Sequence, residues 1–222
     1  QLLGVPTMLN AIVNCAEVKQ YNLSSLHSVL IGGSAPSPAL IRHIERVFPS
    51  CRAFTGYGLT ETTPVLTSAR PKSHVARLET DEQRIARQAT TGRPLIGVEL
   101  RVVTPELRDV PADEQTVGEI VVRSNVVMDG YFKDPDATVE AMRGGWFHTE
   151  DMAVVNAEGY VTIVDRKKDI IISGGENISS VEVEGALLRH PAIQEVAIVG
   201  LPHEKWGETP HAFVVLTPGA TA

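Results

Sequence analysis

Arg52-Ala53-Phe54-Thr55-Gly56-Tyr57-Gly58-Leu59-Thr60-Glu61 is the stretch on which the reading of this 222-residue chain turns. Its first four residues read as a short strand, which runs into two glycines bracketing a tyrosine. Glycine at 56 and 58 allows positive φ and close approach of the backbone to a ligand. Tyr57 between them can lay its ring against a flat base. Thr60 offers a hydroxyl and an amide to a phosphate. Glu61 can hold Mg²⁺, which prefers a carboxylate together with phosphate oxygens. A plain glycine turn after a strand would use the same letters, so the surrounding sequence has to decide.

Upstream, Pro6, Met8, Leu9, Ile12 and Val13 have helical spacing, with Gln1–Val5 running straight into that pattern. Residues 28–31 read as a buried strand ending in Gly32-Gly33. Residues 38–47 read as an amphipathic helix stopped by Pro49. Residues 1–60 therefore alternate helix, strand, helix, strand, the pattern of a parallel α/β sheet whose ligands sit beyond the carboxyl ends of its strands. Gly32-Gly33-Ser34-Ala35-Pro36 and the Tyr57 loop fall at two such ends and could form two sides of one slot.

Downstream the texture changes. Residues 70–90 are polar and show no periodicity. Strands are expected over 97–103 and 117–123, a helix over 136–142, and a hairpin of 153–156 with 160–164 turning at Asn156–Gly159. This region reads as antiparallel and β-barrel-like. Charged residues 165–169 punctuate the chain. A strand (170–172), Gly174-Gly175, a helix (179–188) capped by Ser179 or Ser180, and strands 193–199 and 212–216 then suggest a small, incomplete α+β lobe. The fold class is α/β (α+β). One unit is expected over 1–166, comprising an α/β portion (1–64) and a β-rich portion (65–166), and a second over 167–222.

Net charge is −7 and no basic stripe occurs, which argues against a nucleic-acid partner. Cys15 and Cys51 make neither a disulfide framework nor a metal site and suit a reducing, cytoplasmic compartment. No apolar run reaches membrane-spanning length. The chain opens at Gln1 without methionine and reads as a piece of a longer protein.

Further candidates follow the same logic. In Gly145-Trp146-Phe147-His148-Thr149-Glu150-Asp151, Asp151 is expected just after a strand, as an acceptor for two vicinal sugar hydroxyls. His148 invites a catalytic role, but a structural imidazole beside Trp146 is the simpler reading. Arg166 is expected after another strand, within reach of a sugar or phosphate. The Lys167-Lys168-Asp169 run reads as a solvated linker or as a hinge. Ser173-Gly174-Gly175 could let a narrow ligand chain pass close to the backbone.

In this order, Tyr57–Glu61, Gly118–Arg123, Trp146–Asp151 and Asp165-Arg166 resemble the signature motifs of the adenylate-forming superfamily. That superfamily comprises acyl-CoA synthetases, peptide-synthetase adenylation domains and luciferases. Residues 165–184 are most similar to fatty-acid–CoA ligases. The resemblance implies a two-step reaction in which a carboxylate attacks the α-phosphate of ATP, and coenzyme A then displaces AMP. By matched position it implies that Ser34, Ala35, Pro36, Thr55, Gly56, Tyr57 and Gly58 border the nucleotide. Thr60 would take the α-phosphate, Glu61 the Mg²⁺, and Asp151 with Arg166 the ribose hydroxyls. Lys168 would be the hinge of the second unit, and Gly174, Gly175 and Glu176 would border the pantetheine path. Partners would be small molecules, with a homo-oligomer possible.

The resemblance also marks departures. The family's lysine-bearing phosphate loop and its C-terminal catalytic lysine match none of the six lysines here (Lys19, Lys72, Lys133, Lys167, Lys168, Lys205). Asn177 stands where some relatives have an arginine. The 222-residue chain is therefore expected to be inactive alone. Two further readings are loading of a carrier-protein pantetheine and a non-catalytic nucleotide-binding module of the same fold.

Overall fold

The computed structural model describes residues 1–72, 78–217 and 219–220. The chain begins with β1 (Leu2–Gly4) rather than entering a helix directly. Three residues are too few to show a period, and only their parallel pairing with β2 (Ser28–Ile31) reveals them as a strand. Between them lies α1 (Pro6–Asn14), with Pro6 in its first turn and Leu9 and Val13 turned inward. After β2 comes α2 (Pro38–Val47). Ser37 caps it by accepting the Leu40 N–H at 3.2 Å, and Ile41 and Ile44 face the core. β3 (Arg52–Tyr57) then pairs parallel to β2. Val29, Ile31, Ile41, Ile44, Cys51 and Ala53 are fully buried together, so the aliphatic core of this layer lies where the helical and strand periods place it.

The polar stretch 70–90 contains an unforeseen helix, α3 (Asp81–Ala89), within its described part. Thr80 and Gln83 form a reciprocal cap. Periodicity missed α3 because its inward face is partly polar, with Arg87 and Gln88 buried beside Ile85. Each finds partners inside. Arg87 pairs with Glu79 and donates to the Ala69 carbonyl, while Gln88 Nε2 donates to Glu45 at 2.9 Å and to the Ala53 carbonyl. β4 (Thr67–Ser68) and β5 (Arg93–Pro94) extend the first sheet antiparallel, in the order β1-β2-β3-β4-β5.

The second sheet is a meander of β6 (Val98–Val103), β7 (Gly118–Ser124), β8 (Phe147–Val155) and β9 (Val161–Arg166), with α4 (Pro135–Ala141) leading into β8. Among the described residues it does not close into a barrel. At the free edge of β9, Val161 bridges Gly92 rather than a residue of β6, which joins the two sheets. β8 is far longer than the expected 153–156, because its buried polar residues His148, Thr149 and Asp151 mask the alternation.

The last layer contains β10 (Ile171–Ser173), β11 (Glu176–Ile178), α5 (Ser180–Leu187), β12 (Ile193–His203) and β13 (Gly207–Leu216), in sheet order β11-β10-β13-β12. Gly174-Gly175 is thus the turn of a small hairpin rather than a direct entry into the helix. No helix among the described residues is long and apolar enough to cross a membrane.

Candidate nucleotide site

Two adjoining cavities of about 690 and 480 Å³ open at the carboxyl end of β3 and share Gly33, Gly56, Tyr57, Gly58, Leu59 and Arg166. β3 runs two residues further than expected, so Gly56 and Tyr57 belong to a strand and not to a loop. Neither Gly56 nor Gly58 has positive φ, contrary to the expectation. Their reason is space. A Cβ on Gly58 would lie 1.8 Å from the Pro64 carbonyl oxygen, and one on Gly56 would lie 2.9 Å from Leu30 Cδ1. Thr55 borders the smaller cavity, but its side chain is committed elsewhere, since Oγ1 donates to the Gln88 carbonyl at 2.7 Å. Ser34 and Ala35 line the same cavity, while Pro36 is buried and borders neither.

Asp151 does not follow a strand but sits inside β8, directly across from Arg166, the last residue of β9. This cross-strand register brings Arg166 Nε to 3.6 Å from Asp151 Oδ1. From the other sheet, the Tyr57 hydroxyl donates to Asp151 Oδ2 at 2.6 Å. The Asp151 N–H donates to Thr149 Oγ1 at 3.2 Å, and that hydroxyl donates in turn to the Ile120 carbonyl. Only 5% of Asp151 is exposed. Burial pushes its carboxyl above the usual range, opposed by the Tyr57 hydrogen bond and the Arg166 charge. Tyr57 is pushed up as well, by burial and then by the neighbouring Asp151 charge, so it remains a hydrogen-bond donor at neutral pH. Two side chains, Tyr57 from β3 and Arg166 from β9, thus converge on the Asp151 carboxylate of β8, whose ionised form can accept two hydroxyls.

Thr60 and Glu61 line the larger cavity on a single 3-10 turn, Thr60–Thr62, pinned where Leu59 N–H meets Thr62 Oγ1 at 2.9 Å. Glu61 Oε1 accepts from the Tyr131 hydroxyl at 3.0 Å. Among the described residues no three His, Cys, Asp or Glu side chains gather as a metal cage. Mg²⁺ bound through substrate phosphates needs only one or two carboxylates, and Glu61 fits that requirement. Lys168 lines this cavity too.

The structure does not bring Gly174, Gly175 and Glu176 to either cavity. Gly174 packs under the Trp206 ring, and its N–H donates to the Trp206 carbonyl at 2.8 Å. His148 is buried and borders the larger cavity, and the charged group beside it is not on Trp146's side. The imidazole lies against Glu119, and Trp146 lies between Arg101 and Arg123. Two contributors were not foreseen. Tyr131 carries no sequence signal beyond its proximity to Gly130. Asp165 had one, an acid next to Arg166, and it ties β9 to α5 by accepting from Ser180 N–H at 2.6 Å and Ser180 Oγ at 2.9 Å.

The family model for AMP-binding enzymes matches residues 1–132, and that for their C-terminal domain matches residues 182–222. The chain belongs to the AMP-binding enzyme family. Within that family it is 43% identical over 213 residues to a long-chain-fatty-acid–CoA ligase of Thermus thermophilus, covering 96% of this chain and 39% of that protein. It is 45% identical over 219 residues to the acetate–CoA ligase CCL3 of Humulus lupulus, covering 97% and 38%. Among solved structures, the anthranilate–CoA ligase AuaEII in complex with anthranoyl-AMP superposes with a TM-score of 0.82 at 29% identity, over 99% of this chain and 40% of that one. The chain spans about two fifths of the length of these relatives.

Proposed function

We propose that this chain is the nucleotide-gripping portion of an ATP-dependent carboxylic acid–CoA ligase. The observation that carries this reading is that Tyr57 and Arg166, on the wall shared by the two cavities, converge on Asp151, which lines the smaller one, with Thr60 and Glu61 on the adjoining turn in the larger. In this reading Asp151 accepts the two ribose hydroxyls, and Arg166 balances its charge. Ser34, Ala35 and the glycine-flanked Tyr57 border the base. Thr60 and Glu61 meet the α-phosphate and the Mg²⁺ that neutralises it, so catalysis rests on positioning and charge rather than on covalent help from the protein.

The relatives act on acids as different as a long-chain fatty acid, acetate and anthranilate. We favour a fatty acid, on the similarity of residues 165–184 to fatty-acid–CoA ligases and on the 43% identity to the Thermus thermophilus long-chain-fatty-acid–CoA ligase. Residues 1–166 would form one unit and 167–222 a second that turns about Lys168. Since Gly174, Gly175 and Glu176 stand apart from the cavities, they would meet a pantetheine chain only after such a turn.

The test is calorimetric titration of the chain with a non-hydrolysable acyl-adenylate. Saturable binding that weakens about tenfold or more in Asp151→Asn is the expected result, the size of a lost charge-assisted contact. Absence of binding at roughly millimolar ligand, or equal binding by Asp151→Asn, would overturn the reading.

A further inference from the structure

Behind the Asp151–Arg166 pair lies a buried carboxylate that touches neither of them. Glu119, on β7, has a side chain only 10% exposed. Its Oε1 accepts the Glu150 N–H at 3.3 Å. Its Oε2 lies 3.3 Å from Arg143 Nη2, 3.2 Å from His148 Nδ1 and 3.7 Å from Lys167 Nζ. The His148 approach is poorly aligned for a hydrogen bond, and neither ring nitrogen makes one, so that contact places an imidazole beside the charge without directing it. A buried carboxylate persists only when cations and donors compensate it. Here they come from the segment before β8, from β8 itself and from the residue after β9.

Those contacts meet at an unusual piece of backbone. Glu150 has φ +60°, in the left-handed region that favours glycine. It is followed directly by Asp151. Its N–H is held by Glu119, and its carbonyl accepts the Lys167 N–H at 2.8 Å. Lys167 in turn follows Arg166. The β7–β8 register shifts between Glu119 and Val121, so the strand pairing alone does not hold this turn.

We propose that Glu119 is a positioning residue, the anchor that holds Glu150 in its left-handed conformation and Lys167 beside it, so that Asp151 and Arg166 face one another across β8 and β9. The inference rests on the nucleotide reading for its consequence, but not for the anchoring itself.

The experiment uses Glu119→Gln, which keeps the shape and one acceptor but removes the charge. In the ligand-free chain, amide hydrogen exchange at Glu150 and Lys167 rises. AMP affinity falls about tenfold, in the range carried by partners that orient binding groups. Affinity for 2′,3′-dideoxy-AMP, which offers Asp151 no hydroxyls, stays unchanged. Adding Glu150→Gly, which suits φ +60°, restores both properties.

Unchanged exchange at Glu150 and Lys167 overturns the proposal whatever AMP does. Equal loss of both nucleotides, or failure of Glu150→Gly to rescue, also overturns it. If exchange rises and is rescued while Asp151→Asn leaves AMP binding untouched, the anchoring stands and the nucleotide reading fails. Should Glu119→Gln not fold, Arg143→Ala at a partly exposed site raises exchange at the same two amides, and no change there refutes the anchor.

Discussion

Tyr57→Phe removes one oxygen and leaves the ring, and the structure says what that oxygen does. It donates at 2.6 Å to a carboxylate that is 5% exposed and whose one other side-chain partner among the described residues is Arg166, at 3.6 Å. A hydrogen bond to a charged group contributes about 1.5–3 kcal/mol, and the substitution leaves the Oδ2 side of Asp151 buried without that partner. The same free energy raises the Asp151 pKa by a further ~1–2 units beyond what burial already does, at 1.36 kcal/mol per unit. The sign follows from linkage. The bond favours the ionised carboxylate, so its stabilisation is fully present above the Asp151 pKa of the variant. It is lost as pH falls through the lower Asp151 pKa of the parent chain. Denaturant unfolding of both proteins, followed by tryptophan fluorescence from about pH 7 down to about pH 4, measures the difference directly. In an Asp151→Asn background the same substitution costs much less, which a double-mutant cycle reads as coupling. A loss that stays constant across the pH range, or one that is undiminished in the Asp151→Asn background, would mean that Tyr57 acts through packing alone and would refute this reasoning.

Three other outcomes follow from the same geometry. Because burial raises the Asp151 pKa, ribonucleotide affinity weakens on mild acidification, as the carboxyl takes up a proton and loses an acceptor; Asp151→Asn should give a flat profile between pH 7 and pH 5. Gly58→Ala drives a methyl into the Pro64 carbonyl and should cost at least about 3 kcal/mol, whereas Gly175→Ala meets nothing within 4 Å and should cost only the ~1–2 kcal/mol of its positive φ. Matched urea titrations of the two variants compare these costs. Asp165→Asn presents an amide donor to the Ser180 N–H or the Arg166 N–H, both of which now bond to the carboxylate. A loss of about 2 kcal/mol, reported by Trp206 in the turn between β12 and β13, is expected.

Much of the α/β layer was legible in the letters. Leu9, Val13, Ile41 and Ile44 lie on helical periods, and Val29, Ile31 and Ala53 lie in strands bounded by glycine or proline, so local spacing alone predicts α1, α2, β2 and β3. The reading failed where burial was polar. Arg87 and Gln88 hid α3, and His148, Thr149 and Asp151 hid the first two thirds of β8, because a polar side chain inside the protein looks like one outside until its partner is known. It also failed where an element was as short as β1 or β11, or where a sheet had to close or stay open.

The linear order of residues fixes which chemical groups this protein carries: a glycine-flanked tyrosine, a Thr-Glu turn, an acid and an arginine in an order that resembles a nucleotide-activating family. It took the packing of the sheets to bring the Tyr57 hydroxyl and Arg166 onto the Asp151 carboxylate, to set Glu119 behind them, and to leave Gly174–Glu176 apart. Tyr57 and Asp151 are 94 positions apart and lie in different sheets. Their meeting depends on how two strand registers and one bridge at Gly92 align those sheets, and no local spacing encodes that alignment.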